Sequence, residues 1–145
     1  MENRYGLIVK AKVSHASGTA ERDTALELLK ALPGKSRKTA GGDKGYDVES
    51  FVQGCRAARV TAHVAMKKKG SAIDRRTQRH AGYAVSQKIR KRIEEVFGWN
   101  KSIGLLRQVK QRGLARVDAL FQFGMLSWNL ARMRNILALD AAPGR

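Results

Sequence analysis

A chain of 145 residues with 43% apolar content is long enough for one compact domain and short for two, so residues 1–145 are read as a single unit. Its 29 Lys and Arg against 12 Asp and Glu give a formal charge of +17, which opposes compaction unless a polyanion or counterions screen it; nucleic acid is the indicated partner. The lone Cys55 excludes an internal disulfide, no Cys/His cluster has zinc spacing, and neither a signal pattern nor an apolar run of about 20 residues occurs.

In chain order, Gly6–Val13 is β-branched and alternating in its second half, which predicts a strand. A helix follows, capped by Ser17 or Thr19, with Ala25, Leu28, Leu29 and Leu32 at helical spacing and an end at Pro33-Gly34. Lys38–Gly42 is predicted as a short strand leading into Asp43-Lys-Gly-Tyr-Asp47. Val48–Ala58 is predicted as a helix capped by Asp47, and Arg59–Ala65 as extended. This alternation is that of an α/β fold.

Lys67 to Gly82 is basic and aperiodic, a loop in the plain reading and a DNA-contacting loop in the functional one. From Lys67 to Arg112 there are fourteen Lys or Arg residues against Asp74, Glu94 and Glu95 alone. Val85, Ile89, Ile93, Val96 and Phe97 recur on one face and predict a single helix over Tyr83–Phe97. Leu114–Leu139 is apolar on several sides and predicts a largely buried helix, with a frayed tail from Asp140 to Arg145.

Two features carry possible chemistry. Asp43 ends a predicted strand. Arg90, Glu94 and Lys101 share one helical face if the helix runs on through Gly98, being roughly 40° and 20° apart in succession. A carboxylate from each element can hold Mg²⁺ against phosphate oxygens while Arg90 and Lys101 grip flanking phosphates. The plain alternative is that Arg90 and Glu94 form an exposed ion pair at i, i+4, worth a few tenths of a kcal/mol.

Resemblance bears on that choice. Asp43-Lys-Gly-Tyr-Asp47 resembles the segment around the second catalytic aspartate of bacterial insertion-sequence DDE transposases. Arg90-Lys-Arg-Ile-Glu94-Glu-Val-Phe-Gly-Trp-Asn-Lys101 resembles their signature of Arg, three residues, Glu, six residues and Lys. Insertion sequence family five is the nearest group. Glu2-Asn-Arg-Tyr-Gly6, His15-Ala-Ser-Gly-Thr-Ala-Glu-Arg22, Arg79-His-Ala-Gly-Tyr83 and Trp128-Asn-Leu-Ala-Arg-Met-Arg134 also resemble that group, so the likeness spans nearly the whole chain.

The resemblance implies a partial ribonuclease-H-like α/β fold lacking its first strands, with C-terminal helices. It implies Asp43 and Glu94 as catalytic metal ligands for Mg²⁺, and double-stranded DNA as partner. Arg90 and Lys101 become DNA contacts, and the basic Lys67, Lys68, Lys69, Arg75, Arg76 and Arg79 join them by charge. The signature's tyrosine, three residues before the arginine, is here Gln87. The family's first aspartate has no counterpart, since Asp23 falls on a predicted helix. The expectation is therefore a C-terminal fragment that binds DNA without transposing, placed in the cytoplasm at the nucleoid, with homo-oligomerisation left open. A non-catalytic repressor derived from a transposase is the alternative; a basic RNA-binding protein is a third reading without an RNA-recognition signature. His15, His63, His80, Trp99, Trp128 and Cys55 are assigned structural roles.

Overall fold

A computed structural model describes residues 1–104 and 106–140, Asp140 by its backbone alone. The expected tail beyond Asp140 lies outside the described residues. The chain divides into two compact units: Ala16–Lys91 forms one, and Met1–His15 with the chain from Arg92 onward forms the other.

The first unit runs α1 (Ala20–Lys30), β1 (Lys38–Gly42), a 3-10 turn (Lys44–Tyr46), α2 (Glu49–Ala57), β2 (Val60–Val64), α3 (Arg75–Arg79) and α4 (Ala81–Ile89). Among the described residues its sheet has two strands, paired parallel in the register Lys38↔Val60 through Gly42↔Val64. A parallel pair needs a crossover, which α2 provides. The core is Phe51, Val52 and Cys55 from α2, Val60, Ala62 and Val64 from β2, and Ile73, with Leu26 and Leu29 of α1 packed against it. α2 is amphipathic because Phe51, Val52 and Cys55 recur at helical spacing; it buries that face on β2. Gly54 is where α1 and α2 meet, since a Cβ there would lie 2.8 Å from the Leu26 methyls.

The second unit holds α5 (Arg92–Ser102) and α6 (Leu114–Asp140). Gly6–Val13 is not a strand. Its backbone groups are taken by side chains of α6 instead of by a neighbouring strand. Asn129 accepts from Ile8 N at 2.7 Å and donates to Ile8 O at 2.9 Å. Asp118 accepts from Val13 N, Gln122 donates to Ala11 O, and the Trp128 indole N–H donates to Gly6 O. Asp118, Gln122, Asn129 and Arg132 lie along one side of a helix at steps of four, seven and three, so one polar stripe satisfies an extended segment.

α6 departs from its predicted burial. Met125 is 4% exposed, yet Phe123, Leu126, Leu130, Met133 and Leu137 all exceed two-fifths. One side of the helix packs on α5, through Phe97 against Phe121 and Trp99 edge-on to Trp128, and the polar stripe holds the Gly6–Val13 segment. The remaining apolar side is left uncovered by either.

Candidate active site

Each candidate residue is positioned within its own unit. In the first, β1 ends at Gly42 and Asp43 follows immediately, at the carboxyl end of the parallel pair. Asp43 caps the 3-10 turn: its Oδ1 accepts from Gly45 N at 2.7 Å. The residue is exposed, and its other carboxylate oxygen has no hydrogen bond among the described residues. That is a hard oxygen presented to solvent at a strand end, a chemistry suited to Mg²⁺.

Arg90 stands on the same unit, immediately after α4. A Cβ built on Gly41 would lie 3.4 Å from Arg90 Cβ and 3.4 Å from Ser86 O, so the bare strand end lets α4 and the root of Arg90 approach β1 closely. Gln87 orients the arginine. Its Oε1 accepts from Arg90 Nε at 3.1 Å while its Nε2 donates to His63 O on β2. One turn earlier, Tyr83 donates to Val64 O at 2.8 Å. Tyr83 and Gln87 thus pin α4 to consecutive carbonyls of β2, and Gln87 also holds the Arg90 side chain.

Behind this face lies a buried pair that sequence reasoning left as a structural histidine. His63 is 4% exposed and its Nδ1 lies 2.8 Å from Ser86 Oγ, also buried. Burial, then the charge of His80, push the His63 pKa below its ordinary value, against a smaller opposing effect of the Gly82 backbone. The ring is a neutral strut between β2 and α4 and is closed to substrate by its burial.

Asp47 behaves differently from its predicted role. The residue before α2 is Val48, with no side-chain cap, and the Asp47 carboxylate turns the other way. It is wholly buried and accepts from Lys67 N at 2.7 Å and Ala72 N at 2.8 Å. Burial acts to raise its pKa, but these two amides, the Ser71 hydroxyl and the Lys67 charge outweigh it, leaving the group below the ordinary carboxylate value. Asp47 therefore staples both ends of the lysine turn. The capping preference of aspartate was the visible signal, and it named the wrong amides.

That turn carries Lys67, half-buried, with Lys68 and Lys69 exposed. The basic stretch after it is not all loop: Asp74 Oδ1 accepts from Arg76 N and starts α3, which displays Arg75, Arg76 and Arg79 to solvent.

In the second unit, α5 presents Glu94 and Lys101. Its packed side is Val96 and Asn100, both fully buried. Glu94 and Lys101 lie roughly 160° and 140° around the helix from Val96, hence on the outward face, and both are exposed. Asn100 packs against Gly124 of α6, which leaves no room for a Cβ beside its Oδ1, while its Nδ2 donates to Val96 O one turn back in the same helix.

The expected single helix over Tyr83–Phe97 is broken. α4 stops at Ile89, Arg90 and Lys91 form a turn, and α5 begins at Arg92. Arg90 therefore belongs to one unit and Glu94 with Lys101 to the other, and the predicted common face joins only the latter two. Like charges within one turn, Lys88, Arg90, Lys91 and Arg92, weaken the helix at this place. Val85, predicted on the packed side, is 54% exposed. Among the described residues no group of three or more His, Cys, Asp or Glu side chains is disposed to hold a metal ion. No described helix is long and apolar enough to cross a membrane.

No curated protein and no solved structure significantly matches the chain. A family model described as the transposase DDE domain matches residues 1–130, which take in Asp43, Arg90, Glu94 and Lys101, and the chain belongs to that family.

Proposed function

We propose that this chain is the C-terminal part of a ribonuclease-H-like transposase catalytic domain of the insertion sequence family five group, acting on double-stranded DNA in the cytoplasm. What supports the reading is Asp43, set at the carboxyl end of β1 with one carboxylate oxygen unengaged among the described residues, and Arg90 rooted over Gly41 two residues before it. The resemblance assigns Asp43 and Glu94 as the Mg²⁺ ligands, and each is exposed on its own unit. When bound, such an ion neutralises charge on phosphate oxygens and lowers the pKa of a coordinated water. The protein's own part is to hold the DNA. Arg90, fixed by Gln87, offers a planar fork to one phosphate, Lys101 a point charge to another. Lys67, Lys68, Lys69, Arg75, Arg76 and Arg79 supply sequence-independent attraction whose strength falls with salt.

Two carboxylates do not complete the three-carboxylate site that the resemblance implies, so the chain on its own binds DNA and does not cut it. The test is duplex binding and Mg²⁺-dependent nicking by the wild type and by Asp43→Asn and Glu94→Gln. The expected result is salt-sensitive binding, unchanged or strengthened by removing a carboxylate, and no nicking. Nicking abolished by either substitution would refute the inactivity; absence of salt-sensitive binding would refute the DNA reading.

A further inference from the structure

The opposite end of the β1–β2 pair carries a feature that the reading above does not use. Parallel register puts Arg37, just before β1, next to Arg59, just before β2, and the two chains are joined there by Lys38 N donating to Arg59 O. Arg56, in the last turn of α2, joins them, and the three arginines line one cavity of about 280 Å³. The buried Val60 and Ile73 line it as well, together with Thr61 and Thr77. Among the described residues no carboxylate pairs with any of the three guanidiniums. Asp74 also lines the cavity, but its Oδ1 is engaged by Arg76 N.

A second observation concerns Arg59 itself. Its φ is +57°, the left-handed conformation in which a helix ordinarily ends on glycine, and among the described residues it is the one non-glycine there. An arginine held at such a position works against local backbone preference, which directs attention to its side chain. Planar guanidinium forks match phosphate oxygens bidentately, and three arginines around one cavity make a phosphate receptor.

We infer that the arginine cavity formed by Arg37, Arg56 and Arg59 is a second phosphate-binding site, taking a phosphodiester of bound DNA. Arg37 lies about 20 Å from Asp43, six residue steps along an extended strand. The inference rests on the DNA-binding reading above and adds a contact at the far end of the sheet from the candidate catalytic carboxylate.

The test is anisotropy of a labelled duplex of arbitrary sequence with the full chain, from about 50 to 200 mM salt. Three variants are compared: Arg37→Gln/Arg56→Gln/Arg59→Gln, Arg59→Gly, and Lys67→Gln/Lys68→Gln/Lys69→Gln. Each phosphate contact contributes about 0.9 to the slope of log affinity against log salt, so the arginine triple should lose about 2 to 3 from it and bind more than tenfold weaker at low salt. Arg59→Gly relieves the left-handed strain, so it should bind more weakly while its unfolding midpoint holds or rises. That combination separates a lost contact from a damaged fold. Wild-type affinity and slope in a folded arginine triple, with loss in the lysine triple, would overturn the arginine site and leave the DNA reading standing. Failure of the wild-type chain to bind duplex at all would overturn both. Thermal stabilisation by inorganic phosphate that the arginine triple abolishes, with duplex binding unaltered, would make the cavity a free-anion site and overturn its assignment to DNA.

Discussion

Asp47 offers the sharpest test of how this fold presents its lysines. Its carboxylate is wholly buried and takes two backbone N–H groups, at 2.7 and 2.8 Å, from the two ends of the Lys67–Ala72 turn. Asp47→Asn keeps one acceptor but turns an NH₂ toward the other amide, losing a charge-assisted bond and leaving a donor unsatisfied. A bond to a charged group contributes about 1.5–3 kcal/mol and an unsatisfied buried donor costs about 1–3, so a loss of about 2–4 kcal/mol is expected. With an m-value of about 2 kcal/mol/M, the urea midpoint falls by about 1–2 M. The amides of Lys67 and Ala72 should lose hydrogen-exchange protection ahead of the β1–β2 ladder. The pH dependence follows the same group. Because the folded pKa is below the ordinary 3.8, the stabilisation is present above that value and disappears as pH falls through the lower folded one. The Asn variant should lack this acid limb. An unchanged urea midpoint, or undiminished protection at Lys67 and Ala72, would refute the staple.

Gln87→Ala should leave the fold within about 1 kcal/mol but free Arg90, lowering DNA affinity several-fold, with Gln87→Glu restoring part of it through the same Arg90 Nε acceptor; isothermal titration with a duplex measures both. His63 has its pKa lowered, so the neutral ring stabilises the fold fully above 6.5 and that contribution is lost as pH falls through the folded value; a urea midpoint flat from pH 7 to 5 would exclude it. Gly124→Ala drives a methyl into buried Asn100 and should cost about 1–3 kcal/mol, read as a lowered unfolding midpoint that Asn100→Ala partly restores. Cys55, wholly buried with its thiol raised by burial to about 11, should resist alkylation in the native protein and react only on unfolding.

What the sequence made legible was local. Lys38–Gly42 is a strand with the predicted bounds although Lys-Thr-Ala-Gly-Gly holds a single β-branched residue, and Val60–Val64, with two valines and a threonine, lies inside the predicted extended stretch. Gly6–Val13 has equally good strand composition and is not one. A strand is defined by who takes its amides, and here the takers are Asp118, Gln122 and Asn129, more than a hundred residues away. No window of sequence contains that information. The same distance hid the role of Asp47, whose partners lie 20 and 25 residues on.

The candidate site divides along the same line. The Arg90–Glu94–Lys101 spacing invites one helix because periodicity registers the apolar side chains and takes no account of whether the backbone hydrogen bonds run through. They do not: Arg90 N still bonds to Ser86 O, but the turn at Arg90 and Lys91 hands Glu94 to a helix packed on α6 through Val96 and Asn100. Arg90 therefore takes its orientation from Gln87 and β2, whereas Glu94 is carried on a helix that packs on α6 where Asn100 meets Gly124. It follows that a substitution at Gln87 should disturb Arg90 without moving Glu94, and one at Gly124 should do the reverse. A signature contiguous in sequence is here supported by two independent sets of contacts.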